Sequence, residues 1–280
     1  MRRPIRPAAE QVAAPLRTLA LLAVWTLVLA SFWGKLPQGA PAPLRRYVGG
    51  LWQAVWRWFR PYAATLADPT GFRWLVECGA SLLLFGAVPL LVWRALGRSL
   101  RDAGIALPNR WGRRALPICL LAVVPFALVL GAVYANALAA DPDDARHRWL
   151  WKATYACSTI PEHLLIAGIA LASFCPGARL PVCRPDDVPR PREPLRLRGR
   201  RKRLLSNHGL DEATVPAIVA AGVLFGIVHL GAPPVELATS FPGGMAVAYL
   251  TVRAGSVLPG WIAHVWLMLL VELFLLLESS

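Results

Sequence analysis

A succession of long apolar runs constrains this chain more than any other feature. They fall at 19–33, 74–96, 115–139, 151–174, 214–230, 235–252 and 257–277. A helix needs about 20 apolar residues to cross hydrocarbon, where each backbone N–H and C=O must be satisfied within the segment. A soluble domain carries more charge than this: hydrophobic residues make up 56% of the 280 and charged residues 16%. The runs predict an all-α polytopic transmembrane helical bundle of about seven spans.

The segments between the runs predict the topology. A net charge of +14 would point a soluble protein towards nucleic acid. Here the basic residues lie between apolar runs, where cytoplasmic anchors lie, so the expected partner is the lipid bilayer and no nucleic acid. Loop 97–114 carries Arg98, Arg101, Arg110, Arg113 and Arg114, whereas loop 140–150 holds Asp141, Asp143 and Asp144 beside Arg146 and Arg148. Loop 175–213 is the most polar stretch, with ten basic and three acidic residues between Arg179 and Arg203 and five prolines among them. It is expected on the cytoplasmic side of a multi-pass inner-membrane protein. Counting outward from it places the N-terminus inside and the C-terminus outside. Run 19–33, behind a basic leader, reads as an uncleaved signal anchor. Tyr47, Trp52, Trp56, Trp58 and Phe59, interleaved with Arg57 and Arg60, read as an interfacial helix. If 48–63 crosses instead, the count becomes eight and the N-terminus moves outside. The cysteines lack zinc-ribbon spacing. Cys78, Cys119 and Cys157 read as small hydrophobes, and no stable disulfide is expected between Cys175 and Cys183 in a cytoplasmic loop.

Ionisable residues inside apolar runs carry the functional information. Placing one at mid-membrane costs about 2.5 to 3.5 kcal/mol, so such residues are rare and usually functional. Glu162, His163, His229 and His264 stand out. Glu77, Glu236 and Glu272 lie nearer span ends and read as structural. Glu162 follows Pro161, which withdraws a backbone donor and kinks a helix. His229 closes Phe225-Gly226-Ile227-Val228-His229, which puts Phe225 and His229 on one helix face. His264 lies about two turns into the last run, where facing lipid would be costly. One Glu and two His on three helices are suited to activating water. A carboxylate in low dielectric is a stronger base than in water, one imidazole can hold the same water, and another can donate to an oxyanion. Glu162, His229 and His264 are equally a ligand set for zinc with a water. Both chemistries stay open on residue type alone.

At these residues the chain resembles the CPBP family of intramembrane proteases, which includes the type II CAAX prenyl endopeptidases and bacterial immunity-type homologues. That family's motifs are Glu-Glu-x-x-x-Arg followed by Gly, then Phe-x-x-x-His, then His-x-x-x-Asn or Asp. They correspond here to Glu162-His163-Leu164-Leu165-Ile166-Ala167-Gly168, to Phe225 through His229, and to His264 with Met268 at the Asn position. Ser99 through Ile105 is similar to the loop that leads into the family's domain. The resemblance implies an N-terminal membrane region over 1–97, with the protease domain over 98–280. It implies Glu162 as general base, His229 sharing its water and His264 at the oxyanion, with His163, Phe225 and Trp261 supporting. It further implies a glutamate mechanism without metal or cofactor, acting on a membrane-anchored protein or peptide near its C-terminal tail. Three positions depart from the motif: His163, Ala167 and Met268. The first two remove an ion pair together, leaving no lone buried charge. Met268 removes a polar oxyanion partner, for which His163 or the Trp261 indole N–H is a candidate replacement. The departures define one alternative, an inactive membrane scaffold or immunity-type protein. A transporter with a Glu/His relay is the other.

Overall fold

The computed structural model describes residues 42–65, 69–138, 156–157, 159–174, 210, 214–230, 232 and 234–278. The fold is mostly helical, with no strand among the described residues. Helix α1 is Ala42–Ala63. Helix α2 (Pro69–Ser81) continues through a π segment, Leu82–Ala87, into α3 (Val88–Ala95). Helices α4 (Arg110–Ala122) and α5 (Val124–Leu138) meet at Val123. The helical stretch Thr159–Phe174 contains a second π segment, His163–Ala170, and ends in α6 (Leu171–Phe174). Helices α7 (Thr214–Val228), α8 (Pro234–Ala254) and α9 (Leu258–Glu278) follow.

Three helical stretches are long and apolar enough to cross a membrane: Gly71–Ala95, Arg110–Ala132 and Leu258–Leu275. Thr159–Phe174 and Thr214–Val228 are apolar but shorter. Helix α8 has the length, 21 residues, but Thr239, Ser240, Pro242, Gly243 and Gly244 dilute its apolar character. Three of the seven expected spans thus have a helix of crossing length, and three more fall on helices that are shorter or less apolar. Run 19–33, loop 140–150, and Cys175 and Cys183 in loop 175–213 lie outside the described residues. In α1, Trp58 and Tyr62 are exposed, and the Arg73 guanidinium lies 5.9 Å over the Trp56 ring, tying α1 to α2.

The second π segment is the axis of the bundle. From Pro161 to Ala172 every residue except Leu164 is buried. A helix apolar all round is a core helix, and this one packs against α7, α8 and the first π segment. Pro161 offers no N–H and crowds the carbonyl one turn earlier. From His163 onward the ladder widens to the π pattern, a form common at functional sites. Glu162 and His163 are both buried because this helix is enclosed on nearly all sides.

Loop 97–109 is stitched onto the turn between α8 and α9. The Val257 N–H donates to Gly104 O at 3.0 Å, and the Ser256 hydroxyl donates to Ala106 O at 2.6 Å. The Asn109 amide donates to Arg253 O at 2.7 Å, while its Oδ1 accepts the Gly112 N–H and caps α4. Gly104 takes φ +77°, the left-handed region that favours glycine. The loop presses on the core helix at Gly168, where a Cβ would collide with the Ala103 carbonyl oxygen. The small residue that follows the first motif is thus a backbone-to-backbone contact. Helices α7 and α8 approach as closely, since a Cβ on Gly244 would collide with Phe225. Helix α9 packs on α5 and α8, with Val271 and Leu275 against Ala127. Glu272 is buried in this helix.

Candidate active site

The core helix, α7 and α9 meet around the buried His163. Glu162 is fully buried on the last α-helical residue before the second π segment, and His163 begins that segment. His163 Nε2 lies 2.9 Å from His264 Nδ1 on α9. The two rings are 5.2 Å apart at their centroids, tilted by 50°. On its other side the His163 ring meets Phe225 of α7 edge-on, centroids 5.4 Å apart at 72°. Phe225 is held there by its contact with Gly244, so the α7–α8 approach sets the wall against which His163 stands.

His229 ends α7. Its Nδ1 lies 2.8 Å from Phe225 O. A carbonyl oxygen only accepts, so Nδ1 carries the proton and the neutral ring offers Nε2 as an acceptor. That Nε2 faces Glu236 Oε1 on the first turn of α8 at 3.6 Å. If His229 takes up a proton, the contact becomes an ion pair. Glu236 reads as structural from its place near a span end, and this contact makes it the neighbour of His229. Its signal was available: it follows His229 by seven residues across a tight connection, which brings the two helix ends together.

Trp261, on the first turn of α9, donates its indole N–H to Ala156 O at 3.2 Å and Thr159 Oγ1 at 3.1 Å. Thr159 in turn donates to Ala156 O at 2.8 Å. This triangle clamps the start of the core helix one turn ahead of Glu162. The Trp261 N–H is thus committed to the helix start, which leaves His163 as the group beside His264. Met268 is half-buried on α9, one turn beyond His264. Ala167 is fully buried, so an Arg there would need a partner in the core.

The described side chains include a buried carboxylate next in sequence to His163, a pair of hydrogen-bonded imidazoles and a third imidazole whose tautomer is set by its own helix. Such a set can take a proton from water and donate to a developing negative charge. Among the described residues no group of three His, Cys, Asp or Glu side chains is arranged to hold a metal ion. His264 Nδ1 is engaged by His163, and His229 Nδ1 by a carbonyl.

Residues 189–270 match the family described as type II CAAX prenyl endopeptidase Rce1-like. No curated protein and no solved structure matches the chain. The matched stretch contains Phe225, His229, Trp261 and His264, while Glu162 and His163 precede it.

Proposed function

We propose, from the premise that residues 189–270 are an Rce1-like domain of the CAAX-protease family, that this membrane protein is a glutamate-type intramembrane endopeptidase. The observation that carries the reading is the approach of three helices on the buried Glu162–His163 step. His163 touches His264 and Phe225, and Phe225 holds His229. The domain is taken to run over 98–280, which the fit of loop 97–109 against Gly168 and the α8–α9 turn supports.

Glu162 removes a proton from a water that His229 Nε2 helps to hold. The water oxygen attacks the scissile carbonyl carbon, and His264 donates to the oxygen as it becomes an oxyanion. Glu162 then passes its proton to the amide nitrogen, the C–N bond breaks, and the acid and amine leave. The core is closed by Ile166, Ala167, Leu224 and Val228, all fully buried, so few waters compete with the reacting one. The reading requires no metal or cofactor. The substrate class is a membrane-anchored protein or peptide cut near its C-terminal tail, since such a tail reaches a site inside the bundle from the bilayer. The protein is placed in the inner membrane with loop 175–213 cytoplasmic, from the arginine density of that loop.

The test is cleavage of a panel of membrane-tail peptides by the protein in liposomes. Glu162→Gln keeps size and hydrogen bonding but loses the basic oxygen, so the rate should fall about 10²- to 10⁴-fold. Equal rates for Glu162→Gln and the unaltered protein would eliminate the mechanism. No cleavage of any peptide by the unaltered protein would favour an inactive scaffold, the reading that Met268 in place of a polar residue supports.

A further inference from the structure

We infer that His163 is a positioning residue for His264, donating Nε2–H to His264 Nδ1 and so holding the proton of His264 on Nε2. The two nitrogens are 2.9 Å apart, a distance at which one must donate and the other accept. Two assignments satisfy this. In one, His264 donates from Nδ1, and a neutral His163 then carries its own proton on Nδ1. In the other, His163 donates from Nε2 and its Nδ1 is a bare lone pair. His163 Nδ1 is buried and has no hydrogen-bond partner among the described residues. An orphaned buried N–H is rarer in folded proteins than an under-used acceptor. The second assignment is therefore the stable one, and it places the proton of His264 on Nε2.

The surroundings hold the arrangement in place. The His163 ring is 1% exposed and braced edge-on by Phe225. Phe225 has no room to retreat, because it lies against the backbone of α8 at Gly244. The other candidate donor, the Trp261 indole, is spent on Ala156 and Thr159. Met268, one turn along α9 from His264, has a thioether that donates no hydrogen bond. A His at position 163 is thus the neighbour that fixes which nitrogen of His264 is a donor. The catalytic consequence rests on the endopeptidase reading above, while the tautomer does not. With the proton on Nε2, His264 can donate to an oxyanion without first exchanging protons.

The experiment is magic-angle-spinning NMR of the full chain in bilayers with 15N-labelled histidine. Only five histidines are present, so the His264 signals are assigned by difference against His264→Gln. The expected spectrum shows His264 Nδ1 unprotonated and Nε2 protonated. His163→Ala should move His264 to a mixture of tautomers, and His163→Gln, whose amide N–H can replace the donor, should restore the single one. Should His163→Ala fail to fold, His163→Leu fills the space without a donor and carries the same expectation. On a cleaved peptide, His163→Ala should lower kcat about 10- to 100-fold with little change in KM, and His163→Gln should recover most of it. A protonated His264 Nδ1 in the unaltered protein would overturn the inference, as would an unchanged His264 tautomer in both His163→Ala and His163→Leu. The expected tautomer in a protein that cleaves nothing would support the inference and sink the endopeptidase reading instead.

Discussion

Replacing Gly168 by Ala tests how the entry loop positions the core helix. A Cβ at this position would collide with Ala103 O and stand 3.5 Å from Val257 Cγ1. The obstructing atom is backbone, so no side chain can rotate out of the way. Relief requires the loop to move off the helix. The loop is pinned one residue later, where Gly104 O accepts the Val257 N–H at 3.0 Å, and again where Ala106 O accepts the Ser256 hydroxyl at 2.6 Å. Overpacking of this kind costs about 1 to 3 kcal/mol, and loss of one pinning hydrogen bond adds about 1 kcal/mol. Exchanging Gly for Ala inside a helix returns about 1 kcal/mol. The net expectation is a destabilisation of about 1 to 3 kcal/mol. Gly243→Ala on α8 is the matched control, because its Cβ meets nothing within 4 Å, so it should be neutral or stabilising by up to about 1 kcal/mol. Equilibrium unfolding in mixed detergent micelles, followed by tryptophan fluorescence, measures both. Gly168→Ala at or above the stability of Gly243→Ala would show that the loop does not bear on the core helix as described.

Trp261→Phe keeps the ring but deletes the N–H that reaches Ala156 O and Thr159 Oγ1. It should cost about 1 kcal/mol of stability in the same unfolding assay and lower the cleavage rate, because the clamp ahead of Glu162 is released. His229→Ala should damage cleavage about as much as Glu162→Gln, whereas Glu236→Gln should act more mildly, since it changes the neighbour of His229 and leaves the ring in place; the same liposome assay ranks all three. Treating the reconstituted protein with a strong chelator should leave cleavage unchanged, and loss of activity restored by added zinc would instead establish a metal site. A cysteine introduced at position 200 should be reached by membrane-impermeant reagents from the cytoplasmic side only, and labelling from outside intact cells would reverse the assigned topology.

The sequence by itself determined the solvent and the candidates. Runs of about 20 apolar residues admit helix in a bilayer and little else, so the helical class follows from periodicity-free hydrophobicity. Glu162, His163, His229 and His264 stood out because buried ionisable groups are costly wherever the helices come to rest. Their partners were not legible, because contact across helices depends on crossing, winding and depth, which no local pattern records. Only the tertiary structure paired His264 with His163, committed the Trp261 indole to the start of the core helix and set Glu236 opposite His229. It alone decided that Glu162 and His163 both face inward. Consecutive helical residues point about 100° apart, and both are buried because the helix is enclosed on nearly all sides. Gly168 shows the same division. Its place after the first motif is plain in the chain, but the reason for a hydrogen there is a carbonyl oxygen 65 residues earlier, brought close by packing alone.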